Sequence, residues 1–462
     1  MNEKDKTILL VVLAALAMCG CLIMSCCAAS VLVLSRVDRS TIQEVFSGET
    51  EISSGTENTG NVVSFEVLDD GSEELSQAER LIIAETEKVR GLKAEEPLAP
   101  VYQTEDELRE YMISQLDDVS DEDFKNELGL YTILGFAPKD FDLRQFYVDL
   151  YTEQIAGFYD PEENQMYLIE DISPYENALT LAHEYTHYLQ YNTPEFEKTL
   201  VYDDSYCDDH GEECMIINSI IEGDASLTEG LIEPEKIIGS YNQGVTESEP
   251  SSSVFDNSPR FFQDSLIFPY LYGYDFVAYH YLKGGFDAVN DLYINLPQSV
   301  EQILHPEKYL TDLPVDVTLE PFRSIITKEF DIIQEDVLNE SDIMMILSCG
   351  YDESWQLSDR QASVGADGWG GGAFLFAEKD DQPMFFSKIV WDDENEAKEA
   401  ETLFAIYLDK RFGESDDNKI WKTEDQSASY LIRQNDVLYW MILPGNFDSE
   451  NMINLLENGS IL

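Results

Sequence analysis

Apolar residues recur along the chain in three patterns, and each predicts a different kind of element. From Thr7 to Ser35 the sequence TILLVVLAALAMCGCLIMSCCAASVLVLS carries no charge at all. That exceeds the roughly 20 residues an α-helix needs to cross a hydrocarbon core, and predicts a transmembrane helix over residues 7–35 behind a short tail, residues 1–6. The alternative is a cleaved signal peptide. Its apolar region would span only about 7–15 residues, and cleavage near Ala28 would leave Val31 to Leu34 exposed. Residues 36–75 mix Ser, Thr, Gly, Glu and Asp with scattered apolar positions, as in GETEISSGTENTGN, and read as an acidic tether without a core.

Beyond residue 75 the period becomes helical. In DELREYMISQL, Leu108, Met112 and Leu116 fall four apart on one face, and FKNELGLYTILGF and FDLRQFYVDLYTEQ continue in the same manner. QMYLIE alternates and follows the turn-forming Asp160–Asn164, and with the GFYD before that turn it predicts a hairpin. SPYENALTLAHEYTHYLQYN returns to the helical period, with Ser173 and Glu176 spaced as a capping box. CMIINSIIEGDASLTEG predicts a further, strongly apolar helix. From about residue 330 the texture changes to strand (GGGAFLFAE), strand (PMFFSKIVW), amphipathic helix (DDENEAKEAETLFAIYLDKRF), hairpin (SASYLIRQNDVLYWMIL) and helix (FDSENMINLLENG). Gly370, Gly371 and Gly372 precede no Gly-Lys-Ser/Thr and predict a tight turn or bulge before the strand, not a phosphate loop. The fold class is α+β: a mainly helical domain with a small hairpin or sheet over 76–329, and an α+β module over 330–462 in which no cluster of metal ligands is expected.

Charge limits the partners. Against 28 Lys+Arg stand 92 Asp+Glu, a formal net charge of −64 in 462 residues, and no basic stripe is available to follow a phosphate backbone. Nucleic acid is excluded as a partner, and the bilayer is expected only through residues 7–35. Lys4 and Lys6 before that segment balance Arg36 and Arg39 after it. Long domains translocate largely regardless of such charges, so the expectation is a single-pass cell-membrane protein with its large domain outside. Cys19, Cys21, Cys26 and Cys27 lie in the apolar segment, as packing residues or acylation sites. Cys207 and Cys214 bracket DDHGEE and would close a small disulfide loop in an oxidising space, with a Cys-Cys-His210 metal site as the alternative and Cys349 left over.

The chemistry sits in His183-Glu184-Tyr185-Thr186-His187. Residues four apart on a helix are 40° from eclipsed, so both imidazoles face one point, where Zn²⁺ suits them. Glu184 stands beside them as general base. The alternative is a pair of histidines that merely pack in a core helix. Leu179, Ala182, Thr186 and Leu189 form the apolar stripe, which puts the histidines at the edge of the buried face, towards a cleft. A catalytic zinc needs a third protein ligand. Glu222, a lone acid among Ile216, Ile217, Ile220 and Ile221, is the first candidate, because a carboxylate buried there needs a cation. Asp224 points some 200° away and is read as orienting another group or capping a loop. Glu229 and Asp224 are the next ligand candidates, followed by His210, His280 and His305.

HEYTHYLQ followed by IEGDAS resembles the glutamate-zincin class of metallopeptidases, in which two histidines and a glutamate from a second helix bind zinc. The best-studied members carry an acid four residues after that glutamate, where this chain has Ser226. A closer resemblance is to membrane-anchored or secreted gluzincin-like proteins of bacteria and archaea. The motifs that carry it are Gly157-Phe158-Tyr159-Asp160-Pro161, His183 to Gln190, Glu222 to Ala225, the segment Pro297 to Tyr309 (PQSVEQILHPEKY), Gly368-Trp369-Gly370-Gly371 and Trp391-Asp392. The resemblance implies a zincin-like fold and peptidase activity, without a named substrate. Peptide hydrolysis also needs a donor for the tetrahedral oxygen. His305 is the first candidate, with a helix-end or core histidine as its alternative, and Tyr270, Tyr272 and Tyr274 come next. Tyr159 and Tyr167 flank the hairpin, whose edge could pair with an extended peptide.

These readings combine into a membrane-anchored zinc metallopeptidase acting on a peptide or protein, with zinc on His183, His187 and Glu222 and with Glu184 and His305 as catalytic residues. A zinc-containing envelope scaffold without activity is the rival from another class, and a zinc hydrolase of another amide is a third reading. A water-accessible fourth coordination position would favour an enzyme, an occluded one the scaffold.

Overall fold

The computed structural model describes residues 75–116, 119–154, 157–170, 174–200, 204–207, 210–233, 253–416, 419–422, 427–447 and 449–457. The expected membrane segment, the tether up to residue 74 and Ser173 of the expected capping box lie outside these. Among the described residues no helix is long and apolar enough to cross a membrane.

The chain is mixed α+β. Helix α1 (Gln77–Arg90) opens on a reciprocal capping box between Ser76 and Glu79 and closes at Gly91, whose φ of 77° ends the helix in the left-handed region. Strand β1 (Pro100–Gln103) leads into α2 (Glu105–Leu116), where Leu108, Met112 and Leu116 are all buried as their spacing predicts. Helices α3 (Asp121–Leu134) and α4 (Leu143–Gln154) precede the hairpin of β2 (Gly157–Asp160) and β3 (Gln165–Ile169). The hairpin is part of a three-stranded sheet in the order β1-β3-β2, with β1 parallel to β3. Only four residues long, β1 is too short to show alternation, so its pattern is silent.

Helix α5 (Pro174–Tyr191) packs on β2 and β3, and α1 and α6 (Gly211–Leu231) pack on α5. Helix α7 (Arg260–Ile294) lies along α6 and is broken at Gly285, where φ is 65°. The α6–α7 crossing is a backbone contact: a Cβ on Gly223 would sit 2.2 Å from the Gly273 carbonyl oxygen, and one on Gly273 2.1 Å from that of Ser219. Cys207 and Cys214 are joined by a disulfide at the start of α6, which takes both sulfurs away from the alternative metal site with His210.

After α8 (Val300–Leu304) the chain builds β4 (Asp331–Val337), α9 (Glu340–Ser348), α10 (Asp359–Ala366), β5 (Trp369–Lys379), β6 (Gln382–Trp391), α11 (Glu394–Phe412), β7 (Ile420–Lys422), β8 (Ala428–Gln434), β9 (Val437–Leu443) and α12 (Glu450–Glu457). The strands form one antiparallel sheet in the order β4-β5-β6-β9-β8-β7. The two central hairpins and the helices α11 and α12 follow the sequence pattern; edge strands β4 and β7 and the short helices α9 and α10 do not declare themselves in it. Gly371 and Gly372 lie inside β5, next to a bulge at Trp369, not ahead of the strand. Their bare faces admit the carbonyls of Val315 and Leu338, which a Cβ would meet at 2.4 and 2.3 Å. One hydrophobic cluster runs from Leu108 in α2 to Trp440 in β9, so the helical part and the sheet share a core. Arg411 of α11 donates to the carbonyls of Ile133 and Leu134, both at 2.9 Å, which lack partners inside α3.

Candidate metal centre

The side chains of His183, His187 and Glu222 meet between α5 and α6, with one potential ligand atom from each lying within 4.8 Å of the others. Their one-turn spacing brings the imidazoles of His183 and His187 to a centroid separation of 4.8 Å, with planes 80° apart. Glu222 Oε2 lies 3.2 Å from His183 Nε2 and 3.7 Å from His187 Nε2.

The opposite ring nitrogens are engaged elsewhere. His183 Nδ1 is 3.1 Å from Glu229 Oε2, and His187 Nδ1 is 2.9 Å from Gln190 Oε1. With Nδ1 donating a proton to these oxygens, each ring presents Nε2 as the lone-pair nitrogen, the arrangement that carboxylates and amides impose on metal-binding histidines. Gln190 is itself clamped by donating to Ile221 O (3.0 Å) and Asp224 Oδ2 (3.1 Å). Asp224 is held by Arg90 at 2.7 Å and by the Tyr293 hydroxyl at 2.8 Å. Of the readings open to it, Asp224 orients another group, Gln190, and is not brought to the two histidines as a ligand. Arg90, with its guanidinium 4.8 Å over the Phe286 ring, comes from α1, 134 residues away, and no sequence signal announces it.

Glu229 is seven residues after Glu222, two helical turns on, hence on the same face of α6. The spacing was available in the sequence, and it supplies His183 with a carboxylate although Ser226 stands where the resembled enzymes carry an acid. Glu184 Oε2 accepts from the Tyr159 N–H of edge strand β2 at 2.9 Å, which orients the carboxylate beside the histidines.

The residues fit a dication. Two imidazoles and one carboxylate are a zinc donor set. The His187 Nε2 atom is buried and has no hydrogen-bond partner among the described residues. Burial would favour neutral His183, but its hydrogen bonds to Glu222 and Glu229 and the charge of Glu184 outweigh this and hold its pKa well above the ordinary range. Such a field of buried carboxylates attracts positive charge.

The expected open edge is not observed. His183, Glu184, His187 and Glu222 are each at most 1% exposed, and α5 is buried on every side from Leu181 to Gln190. A stripe pattern registers only the most apolar face of a helix; sheet, α1 and α6 cover the remainder.

The other candidates lie elsewhere. The Tyr270 ring is 6.4 Å from that of His183, whereas Tyr272 packs on Phe268 and Tyr274 is in the core. The Tyr159 hydroxyl donates to Asn164 and that of Tyr167 to Glu163. His210 stacks on Tyr206, and His280 packs between Phe276 and Tyr309. His305 is not brought to the two-histidine centre: its Nε2 lies 3.0 Å from Glu340 Oε1, and it forms a second group of potential ligands with Glu340 and Asp367. That group corrects the expectation of a ligand-free C-terminal module, since Glu340 and Asp367 both belong to it. A third group, Glu301, Asp312 and Asp392, surrounds Lys308, which is 2.6 Å from Glu301.

Residues 328–450, the sheet module with its helices, match a family described as a domain of unknown function (DUF8575). No curated protein and no solved structure matches the chain.

Proposed function

We propose that the chain is a zinc metallopeptidase, anchored in the cell membrane by residues 7–35, that hydrolyses peptide bonds of a peptide or protein outside the cell. The observation that carries this reading is the convergence of His183, His187 and Glu222 with both Nδ1 atoms already engaged, beside a carboxylate that is not needed as a ligand. Zinc, when bound there, supplies a Lewis acid that acidifies water and polarises a carbonyl. Glu184 takes the proton of the attacking water and delivers it to the departing amine nitrogen. The Tyr159 N–H keeps that carboxylate turned towards the histidines throughout. Strand β2 is an edge of its sheet, but Gly157 to Tyr159 are buried and the Tyr159 N–H is taken by Glu184, so the expected pairing with an extended peptide finds no free edge on β2. The Cys207–Cys214 disulfide agrees with an oxidising compartment.

One observation favours a second reading, a zinc-containing envelope scaffold without activity: the near-complete burial of all four residues. The two part on one experiment with the full chain in detergent. Glu184→Gln should keep the wild-type zinc content and lower cleavage of an unstructured protein by about 10²–10⁴-fold. His183→Ala/His187→Ala should lose one zinc per chain as well as cleavage. Equal zinc with no cleavage in the wild type would establish the scaffold; a double variant with undiminished zinc would refute the ligand assignment.

A further inference from the structure

His305, Glu340 and Asp367 come from three separate places: the end of α8, the first residue of α9 and the residue after α10. Their potential ligand atoms nevertheless lie within 4.8 Å of one another. The Glu340 side chain is 3% exposed. One of its oxygens faces His305 Nε2 at 3.0 Å; the other, Oε2, is buried without a hydrogen-bond partner among the described residues. Leaving a carboxylate oxygen so is costly unless a cation meets it.

The neighbourhood sharpens the imbalance. Glu396 Oε2 also lacks a hydrogen-bond partner among the described residues, and burial, with the charges of Asp393, Asp392 and Asp367, raises the pKa of Glu396 against the pull of Lys308. Lys308 is committed to Glu301 at 2.6 Å and Asp312 at 3.4 Å. A simple His305–Glu340 ion pair would account for one oxygen of Glu340 but neither for the other nor for the approach of Asp367.

The geometry points to a second divalent-metal site, formed by His305, Glu340 and Asp367, that pins the helical part of the chain to the C-terminal sheet module. One imidazole with two carboxylates suits a transition-metal ion such as Zn²⁺ or Mn²⁺ better than Ca²⁺ or Mg²⁺, which take oxygen ligands. Ligand bonds of about 2.0–2.2 Å in a tetrahedral site set ligand atoms about 3.4 Å apart, and the three side chains already approach to within 4.8 Å of one another without an ion. The site draws its ligands from PQSVEQILHPEKY and from the residue preceding Gly368-Trp369-Gly370-Gly371, two segments that the two-histidine centre does not use. Because the ion would bind the docked arrangement and not the separated one, it would stabilise that arrangement by mass action.

The test counts metal on the full chain in detergent, equilibrated with Zn²⁺ or with Mn²⁺ and freed of unbound ion. The His183→Ala/His187→Ala chain should retain one ion, and adding Asp367→Asn or His305→Ala should remove it. Asp367 is exposed, so Asp367→Asn leaves the packing intact; in the otherwise wild-type chain it should cost one ion, and in the His183→Ala/His187→Ala chain it should lower the Tm of the metal-loaded protein to that of the chelator-treated one. Undiminished metal in both Asp367→Asn and His305→Ala overturns the proposal, as does a Tm that chelation leaves unchanged in the His183→Ala/His187→Ala chain. Neither result bears on the first centre, whose failure is read from His183→Ala/His187→Ala alone.

Discussion

Each histidine of the proposed centre turns one nitrogen towards Glu222 and the other towards a further partner, and Glu229 takes that part although Ser226 stands where the best-studied resembled enzymes carry an acid. Glu229 serves His183 from two turns beyond Glu222, and Gln190 serves His187 from the next turn of its own helix. Removing such partners lets the ring turn and lowers its basicity. Glu229→Ala and Gln190→Ala are each expected to weaken zinc binding about 10–100-fold in competition with a chromophoric chelator, with secondary structure unchanged by circular dichroism. Unaltered affinity in both would show that the Nδ1 contacts do not orient the ligands. His183, His187, Glu184 and Glu222 could be read from the sequence because helical spacing and a lone acid in an apolar run are local signals. The role of Gln190 could not, because an amide three residues after a histidine has many possible partners until α6 is docked.

At the level of elements, α5 and α6 carry the candidate ligands, and α6 is positioned by its crossing with α7. That crossing depends on two glycines in backbone contact, one of them the residue after Glu222. Gly223→Ala would place a methyl group 2.2 Å from the Gly273 carbonyl oxygen, with backbone on the far side and no flexible side chain to yield. The helices must separate, at a cost of about 1–3 kcal/mol. The expected outcome is a lower denaturation midpoint together with weaker zinc binding, since Glu222 moves with the helix; a variant equal to the wild type in both would mean that α6 is fixed by other contacts. Most helices and both long hairpins were legible from periodicity. Strands β1, β4 and β7 were not, because three or four residues, or an edge with both faces part-exposed, leave too little alternation to read.

Across the whole molecule the acidic balance becomes a pH dependence. Burial pushes Glu212 up to about 8, helped by Asp342 and Asp336, and pushes Glu127 and Asp342 up to about 7. Burial also raises Glu301 to about 7 against the pull of Lys308. An acid with a raised pKa keeps its proton in the fold after the unfolded chain has released it. The folded state then holds more protons between about pH 4.5 and 8, and stability falls as pH rises through that range. His280, lowered to about 4 by burial and Lys283, works the other way below about 6.5, but it is one group against four. The Tm should be higher near pH 5.5 than at pH 8, and Glu212→Gln, which can still accept from the Val300 N–H, should raise the Tm at pH 8 while changing it little at pH 5.5. A Tm that rises from pH 5.5 to 8 would contradict the assignment.

What the sequence determined by itself was whatever a few turns of chain can encode: the helix that aligns His183 with His187, the apolar helix around Glu222, the hairpins, and the excess of acid. The tertiary structure alone decided the rest. It brought Arg90 to Asp224 across 134 residues, closed the flanks of α5, and carried His305 away from the two-histidine centre to Glu340 and Asp367. The reason is physical: periodicity follows from the backbone repeat of each element, whereas the partner of a buried charge is set by which elements dock, and docking is governed by the complementarity of surfaces far apart in the chain.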